Sequence, residues 1–227
     1  MKIQQENILL EPPQVKICGL TRADQSVACA DLGADAIGCV FYPKSPRNVS
    51  LDQAKEIIHA LPPHVKGTGV FVNAAYDEIM QTIDYCGLKA VQLHGQESSD
   101  LVRRLIQQKI IVIKALFMTR EPFLHQAREY PVSAYLVECG KGQLPGGNAM
   151  TWNWKDTREF GKAHTMILAG GLTPENVAEA FSDAIPAAVD VSSGVESSPG
   201  IKDLGKVASF LNAVKNCRAI HTLKKIF

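Results

Sequence analysis

Long apolar runs are missing from this 227-residue chain. No stretch approaches the roughly 20 apolar residues that a membrane-spanning helix needs. The N-terminus, MKIQQENILLEPPQ, has no apolar core long enough for a secretory signal. The expectation is a cytoplasmic protein without membrane contact. Charge of a single sign is missing too: 24 Lys plus Arg stand against 23 Asp plus Glu, a net charge of +1. That leaves no electrostatic footprint for nucleic acid or a lipid surface. The six cysteines (Cys18, Cys29, Cys39, Cys86, Cys139, Cys217) are scattered, with no C-x-x-C pair and no His cluster at metal spacing. In a reducing compartment they are free thiols, most of them serving as small buried hydrophobes. The glycine fingerprint G-x-G-x-x-G is absent after the first apolar run, VKICGLTRAD, which argues against an open dinucleotide-binding sheet. What these absences leave is a small substrate, neutral or an anion recognised locally, with no metal and no cofactor called for.

What is present is an alternation. Short β-branched runs begin at Val15, Ala36, Val65, Ala90, Ile110, Ser133, Met166 and Ala187. Between them lie segments that read as amphipathic helices of about 10–15 residues, the arrangement of repeated βαβ units. Length alone leans slightly toward two small domains, although α/β barrels reach this size as one. No Gly/Ser linker or composition shift divides the chain. Eight strand–helix pairs with near-continuous apolar strands predict an α/β fold, a single-domain (βα)₈ TIM barrel over residues 15–227. Residues 1–14 form an extension, and the chain ends in a short basic tail. Helix starts are marked by Thr21 with Asp24, by Ser50 with Gln53, and by Thr173-Pro174-Glu175. Pro62-Pro63 closes the second helix.

In such a barrel the chemistry sits where strands end. Those positions hold Cys18-Gly19, the polar loop YPKSPRNVS, Gln92-Leu93-His94-Gly95, Glu138-Cys139, Ala169-Gly170-Gly171 and Asp190-Val191-Ser192-Ser193-Gly194. Glycines and small hydroxyls after strands seven and eight expose backbone N–H groups near helix starts, which suits a phosphate. Either motif alone is more often a tight turn. At adjacent strand ends the pair favours an anion pocket.

Together these motifs resemble phosphoribosylanthranilate isomerase. They are KICGLT at Lys16, FYPKSPR at Phe41, QLHG at Gln92, PGG at Pro145, AGGLTPENV at Ala169 and VDVSSGVE-x-x-P-G at Val189. The resemblance runs from about Val15 to the mid-210s and implies an Amadori rearrangement in tryptophan biosynthesis. It implies Cys18 as general base and Glu138, where the family usually has aspartate, as general acid. It places Arg47 toward the anthranilate carboxylate, and His94 and Asp190 at the substrate. Gly170, Gly171, Ser193 and Gly194 fall at the phosphate. Oligomeric state is not legible.

The resemblance is not uniform. Glutamate at 138 is one methylene longer than aspartate, a change in reach of about 1 Å. The family's G-G-T/S-G-x-x-F-D-W stretch reads Gly146-Gly147-Asn148-Ala149-Met150-Thr151-Trp152-Asn153-Trp154, with Asn153 able to cap the next helix. Lys16 points inward two residues before Cys18, where it either pairs with Asp190 or Glu138 or tunes the thiol. Outside this context Cys18 reads as an inert buried thiol, Arg47 as a solvated loop charge, His94 as a backbone-bonded imidazole and Asp190 as a loop anchor. Two other functions compete. The analogous isomerase of histidine biosynthesis is expected to show paired aspartates and duplicated halves, which this sequence does not. A non-catalytic phosphosugar-binding paralogue is suggested only by Glu138 and Ala149.

Overall fold

Parallel strands that are apolar on both faces need helices outside and side-chain layers inside, and they lose their exposed edges only by closing. In this computed structural model, which describes residues 11–141, 151–219 and 222–227, eight parallel strands close in sequential order. They are β1 (Gln14–Cys18), β2 (Ala36–Phe41), β3 (Lys66–Phe71), β4 (Ala90–Leu93), β5 (Ile111–Phe117), β6 (Ala134–Glu138), β7 (Met166–Leu168) and β8 (Ala188–Val191). Each falls on one of the eight apolar runs. A two-stranded antiparallel hairpin, β9 (Glu196–Ser198) with β10 (Ile201–Lys202), follows β8.

The outer layer holds α1 (Ala23–Asp31), α2 (Leu51–Ala60), α3 (Tyr76–Cys86), α4 (Ser99–Ile106), α5 (Arg158–Ala163), α6 (Val177–Ala184) and α7 (Leu204–Lys215). Four of these helices, α1, α4, α5 and α6, are shorter than the spacing predicts, and no α-helix follows β5. A 3₁₀ turn, Leu124–Glu129, takes that place between Pro122 and Pro131, the second of which disfavours helix at the residue before it. Ser50 forms the expected capping box with Gln53. Thr173 accepts from the Glu175 backbone N–H at 3.3 Å, capping a turn that runs into α6. Two other expectations fail. Thr21 does not cap α1; its hydroxyl donates to the Gly200 carbonyl at 2.8 Å, tying the first loop to the hairpin. Asn153 does not cap the segment after it, since its amide is drawn to the Asp156 carboxylate at 2.8 Å.

The main core lies between strands and helices. A smaller cluster fills the barrel itself, with Ile113, Ala134, Leu136, Ile167 and Ala188 at its centre. Residues in register on parallel neighbours share a face. Lys16 is in register with Asp190, Cys18 with Gly38, Val70 with Gln92 and Phe117 with Glu138, so these side chains gather toward the barrel's mouth. At the opposite end the tail packs Ile226 and Phe227 against the interior cluster. There the Gln14 amide oxygen accepts from both backbone N–H groups, at 2.6 and 3.1 Å. No helix among the described residues is long and apolar enough to cross a membrane.

Candidate active site

A cleft opens at the mouth, lined by Glu138 to Lys141, Ala169 to Leu172 and Asp190 to Gly194. Gly170 and Gly171 both take positive φ, +87° and +71°, a turn that side chains resist and that leaves the backbone amides uncovered. Ser193 and Gly194 follow at the start of a short 3₁₀ turn. The four proposed phosphate positions thus face one space, which also holds Glu138 and Asp190.

Cys18, His94 and Arg47 adjoin this cleft without lining it. Cys18 ends β1 beside Gly38, where an added Cβ would come within 2.9 Å of the sulfur. The glycine therefore makes the room the thiol occupies. Lys16, fully buried, donates to Asp190 Oδ1 at 2.6 Å, and its Cε lies beside Gly38 where the Cys18 sulfur also sits. Of the options left open for Lys16, the structure shows the pairing with Asp190. Burial acts on Lys16 to lower its pKa, but the charges of Asp190 and Cys18 outweigh that and leave it raised. Burial pushes the Cys18 thiol up, with Asp190 adding to the rise and Lys16 and Lys202 opposing it.

His94 is held on both sides. Its Nδ1 lies 2.8 Å from the Gln92 amide nitrogen, and its Nε2 faces Glu138 Oε1 at 3.6 Å. The imidazole is therefore not merely a backbone-bonded ring. Behind it, Lys114 on β5 donates to the Gly95 carbonyl at 2.7 Å and to Glu97 Oε2 at 2.9 Å. Glu97 in turn accepts from the Gly95 and Asn73 N–H groups. Burial lowers the Lys114 pKa against the pull of Glu97.

Arg47 is not a solvated charge. It is buried and gives Glu196 a two-pronged bond, Nε at 2.8 Å and Nη2 at 2.6 Å, which holds its pKa up. Glu196 also accepts from Lys202 at 2.7 Å, and Lys202 reaches the Ser192 carbonyl at 3.2 Å. Against burial, these two cations keep the Glu196 pKa low, while burial keeps that of Lys202 low. The neighbouring Lys44 is exposed. Glu196 stood inside the recognised VSSGVE stretch, but its partner was invisible in the sequence. Lys202 and Lys114 carried no motif, and no local spacing reveals an ion pair closed across strands. Pro145 to Met150 lie outside the described residues.

This constellation has relatives. Residues 15–213 match the family model described as N-(5'phosphoribosyl)anthranilate (PRA) isomerase. The chain belongs to the phosphoribosylanthranilate isomerase family. One such isomerase, from Desulfatibacillum aliphaticivorans, is 49% identical over 214 residues, covering 94% of this chain and 98% of that one. The crystal structure of the family member from Thermotoga maritima is similar with a TM-score of 0.81 and 40% identity, over 89% of this chain and 98% of that chain. Another solved family member holds reduced 1-(o-carboxyphenylamino)-1-deoxyribulose 5-phosphate; it shares 39% identity at a TM-score of 0.78, over the same proportions. The match ends at residue 213, within α7, so the tail that plugs the barrel lies beyond the matched region.

Proposed function

We propose that this chain isomerises N-(5-phosphoribosyl)anthranilate to 1-(o-carboxyphenylamino)-1-deoxyribulose 5-phosphate in the cytoplasm, with Cys18 as base and Glu138 as acid. The observation that carries the assignment is the placement of these two groups. Cys18 ends β1 against the buried Lys16–Asp190 pair, and Glu138 ends β6, three strands away around the ring, in a cleft walled by the glycine loops of β7 and β8. Glu138 gives its proton to the ribose ring oxygen, and the C1′–O bond breaks to leave a Schiff base. Cys18, as thiolate, takes the C2′ proton, and those electrons flow to the iminium as the enolamine forms. The enolamine then tautomerises to the ketone. Lys16 supplies a fixed positive charge that favours the thiolate.

The remaining roles follow the same geometry. The phosphate sits on the amides of Gly170, Gly171, Ser193 and Gly194, the usual place in barrels of this kind. Arg47, with part of its guanidinium committed to Glu196, keeps donors for the anthranilate carboxylate. His94 bridges from Gln92 to Glu138, and Asp190 serves the ribose while anchoring Lys16. The test is turnover of purified protein with phosphoribosylanthranilate under metal-free conditions, followed as loss of anthranilate-type fluorescence. Absence of turnover there would sink the proposal.

A further inference from the structure

The loop after β5 carries a cation that the scheme above does not use. Phe117 ends β5 in register with Glu138, and its ring is fully buried. Arg120, half-buried three residues on, sets its guanidinium carbon 3.5 Å from the centre of that ring. The same ring meets His94 edge-on, at 5.5 Å and 79°. One aromatic side chain, in register with Glu138, thus braces both His94 and Arg120. His94 Nε2 is 3.6 Å from the carboxylate, and the Glu138 charge supports that of Arg120 against its burial.

The backbone holds this arrangement shut. Met118 N–H donates to the Glu138 carbonyl at 3.1 Å, and Thr119 donates to the Cys139 carbonyl through N–H at 3.1 Å and through its hydroxyl at 2.7 Å. Gly140, at φ +81°, lets the chain pass so close that an added Cβ would come within 2.8 Å of Phe117 Cβ and 3.0 Å of Arg120 Cγ. A glutamate carries its carboxyl on a flexible stem, so the carboxyl has several places to go. A flat cation stacked on a buried ring is a rigid anchor for such a group.

We infer that Arg120, mounted on Phe117, is a positioning residue for Glu138, steering the longer acid of this chain to the point where the sugar is protonated. This rests on the reading of Glu138 as the acid. Among the described residues, the other charged or titratable groups beside Glu138 or lining its cleft are His94 after β4, Cys139 and Lys141 on its own loop and Asp190 from β8.

The test compares Arg120→Met, Arg120→Lys and Glu138→Gln in the full chain, by kcat and KM in the fluorescence assay. Arg120→Met is expected to lower kcat by about 10- to 100-fold, the scale of a misplaced catalytic group, with KM nearly unchanged. A lower kcat at unchanged KM reports lost orientation rather than lost substrate binding. Arg120→Lys should recover part of kcat. An unchanged or raised kcat in Arg120→Met overturns the inference. So does a raised KM with kcat intact, which would give Arg120 to the substrate instead. Full turnover in Glu138→Gln removes the acid assignment itself, and the role of Arg120 falls with it. Inactive Glu138→Gln beside a normal Arg120→Met overturns the positioning alone.

Discussion

Cys18 is asked to be a base in a place that burial makes unfavourable for an anion, and its neighbours decide how far that matters. Lys16 contributes the largest opposing influence and Lys202 a second, while Asp190 works against them. Thiols titrate above carboxyls. The reactive form, thiolate with protonated acid, is therefore a minority species whose population is flat between the two titrations. Activity falls below the acid's titration and above the thiol's. Lys16→Met removes a charge that favours the thiolate and leaves Asp190 unpaired, and both changes raise the thiol further. The alkaline limb of kcat/KM is then expected to move to higher pH, and the plateau to drop about tenfold for each unit of that move. Cys18→Ser should lower kcat by about 100-fold or more, the ordinary worth of a positioned base. A Lys16→Met profile that superimposes on the unmodified protein's would contradict the scheme. The place of Cys18 at the end of β1 was legible in the sequence, although outside its motif the residue reads as an inert buried thiol. Arg120 was not legible: its importance depends on a ring three residues earlier and a carboxylate on the next strand.

Among the elements, the end of β4 shows how a loop is held. Gly95 gives its N–H to Glu97 and its carbonyl to Lys114, so a buried ion pair clasps the residue after His94. Removing one partner of such a pair leaves a buried charge uncompensated and costs about 3–5 kcal/mol. Glu97→Ala is expected to lower unfolding stability by that amount in urea titrations and to reduce kcat through a displaced His94. Replacing both partners, as Glu97→Gln with Lys114→Met, should recover much of the stability. At α2 the capping box is local, and Ser50→Ala should cost about 1 kcal/mol with catalysis untouched. The contrast explains which caps the sequence disclosed. Ser50 bonds within its own helix, whereas Thr21 finds its partner 179 residues away at Gly200. Local pattern cannot distinguish a hydroxyl that caps from one that ties two loops together.

For the whole molecule, the two ends of the barrel are separate in function. The mouth gathers the ionised groups, and the opposite end is sealed by Ile226 and Phe227 beneath the interior cluster, with Gln14 holding their backbone. Deleting residues 222–227 uncovers that cluster. The expected loss is about 2–4 kcal/mol, the worth of one or two partly buried large side chains, read as a lower urea midpoint. KM and kcat should stay within about twofold at a temperature where the truncated chain is folded, since the site lies at the other end. A midpoint unmoved by the deletion would show the plug to be ornamental.

In the basic tail Ile226 and Phe227 belong to no periodic pattern, and their value comes from an opening that exists only once eight strands have closed. The same division runs through the molecule. Alternating apolar runs specify strands and helices within a few residues, because burial on one face or two is written in local periodicity. Strand-end motifs likewise mark the mouth, since a parallel barrel brings every strand's C-terminal end to one rim. Cys18, Glu138 and the glycine loops were therefore readable before any coordinates. The pairing of Lys16 with Asp190, the clamp of Glu196 on Arg47 and the seat of Arg120 on Phe117 were not. Each joins residues on different strands or loops, and its energy depends on distances of a few ångströms that closure of the barrel sets.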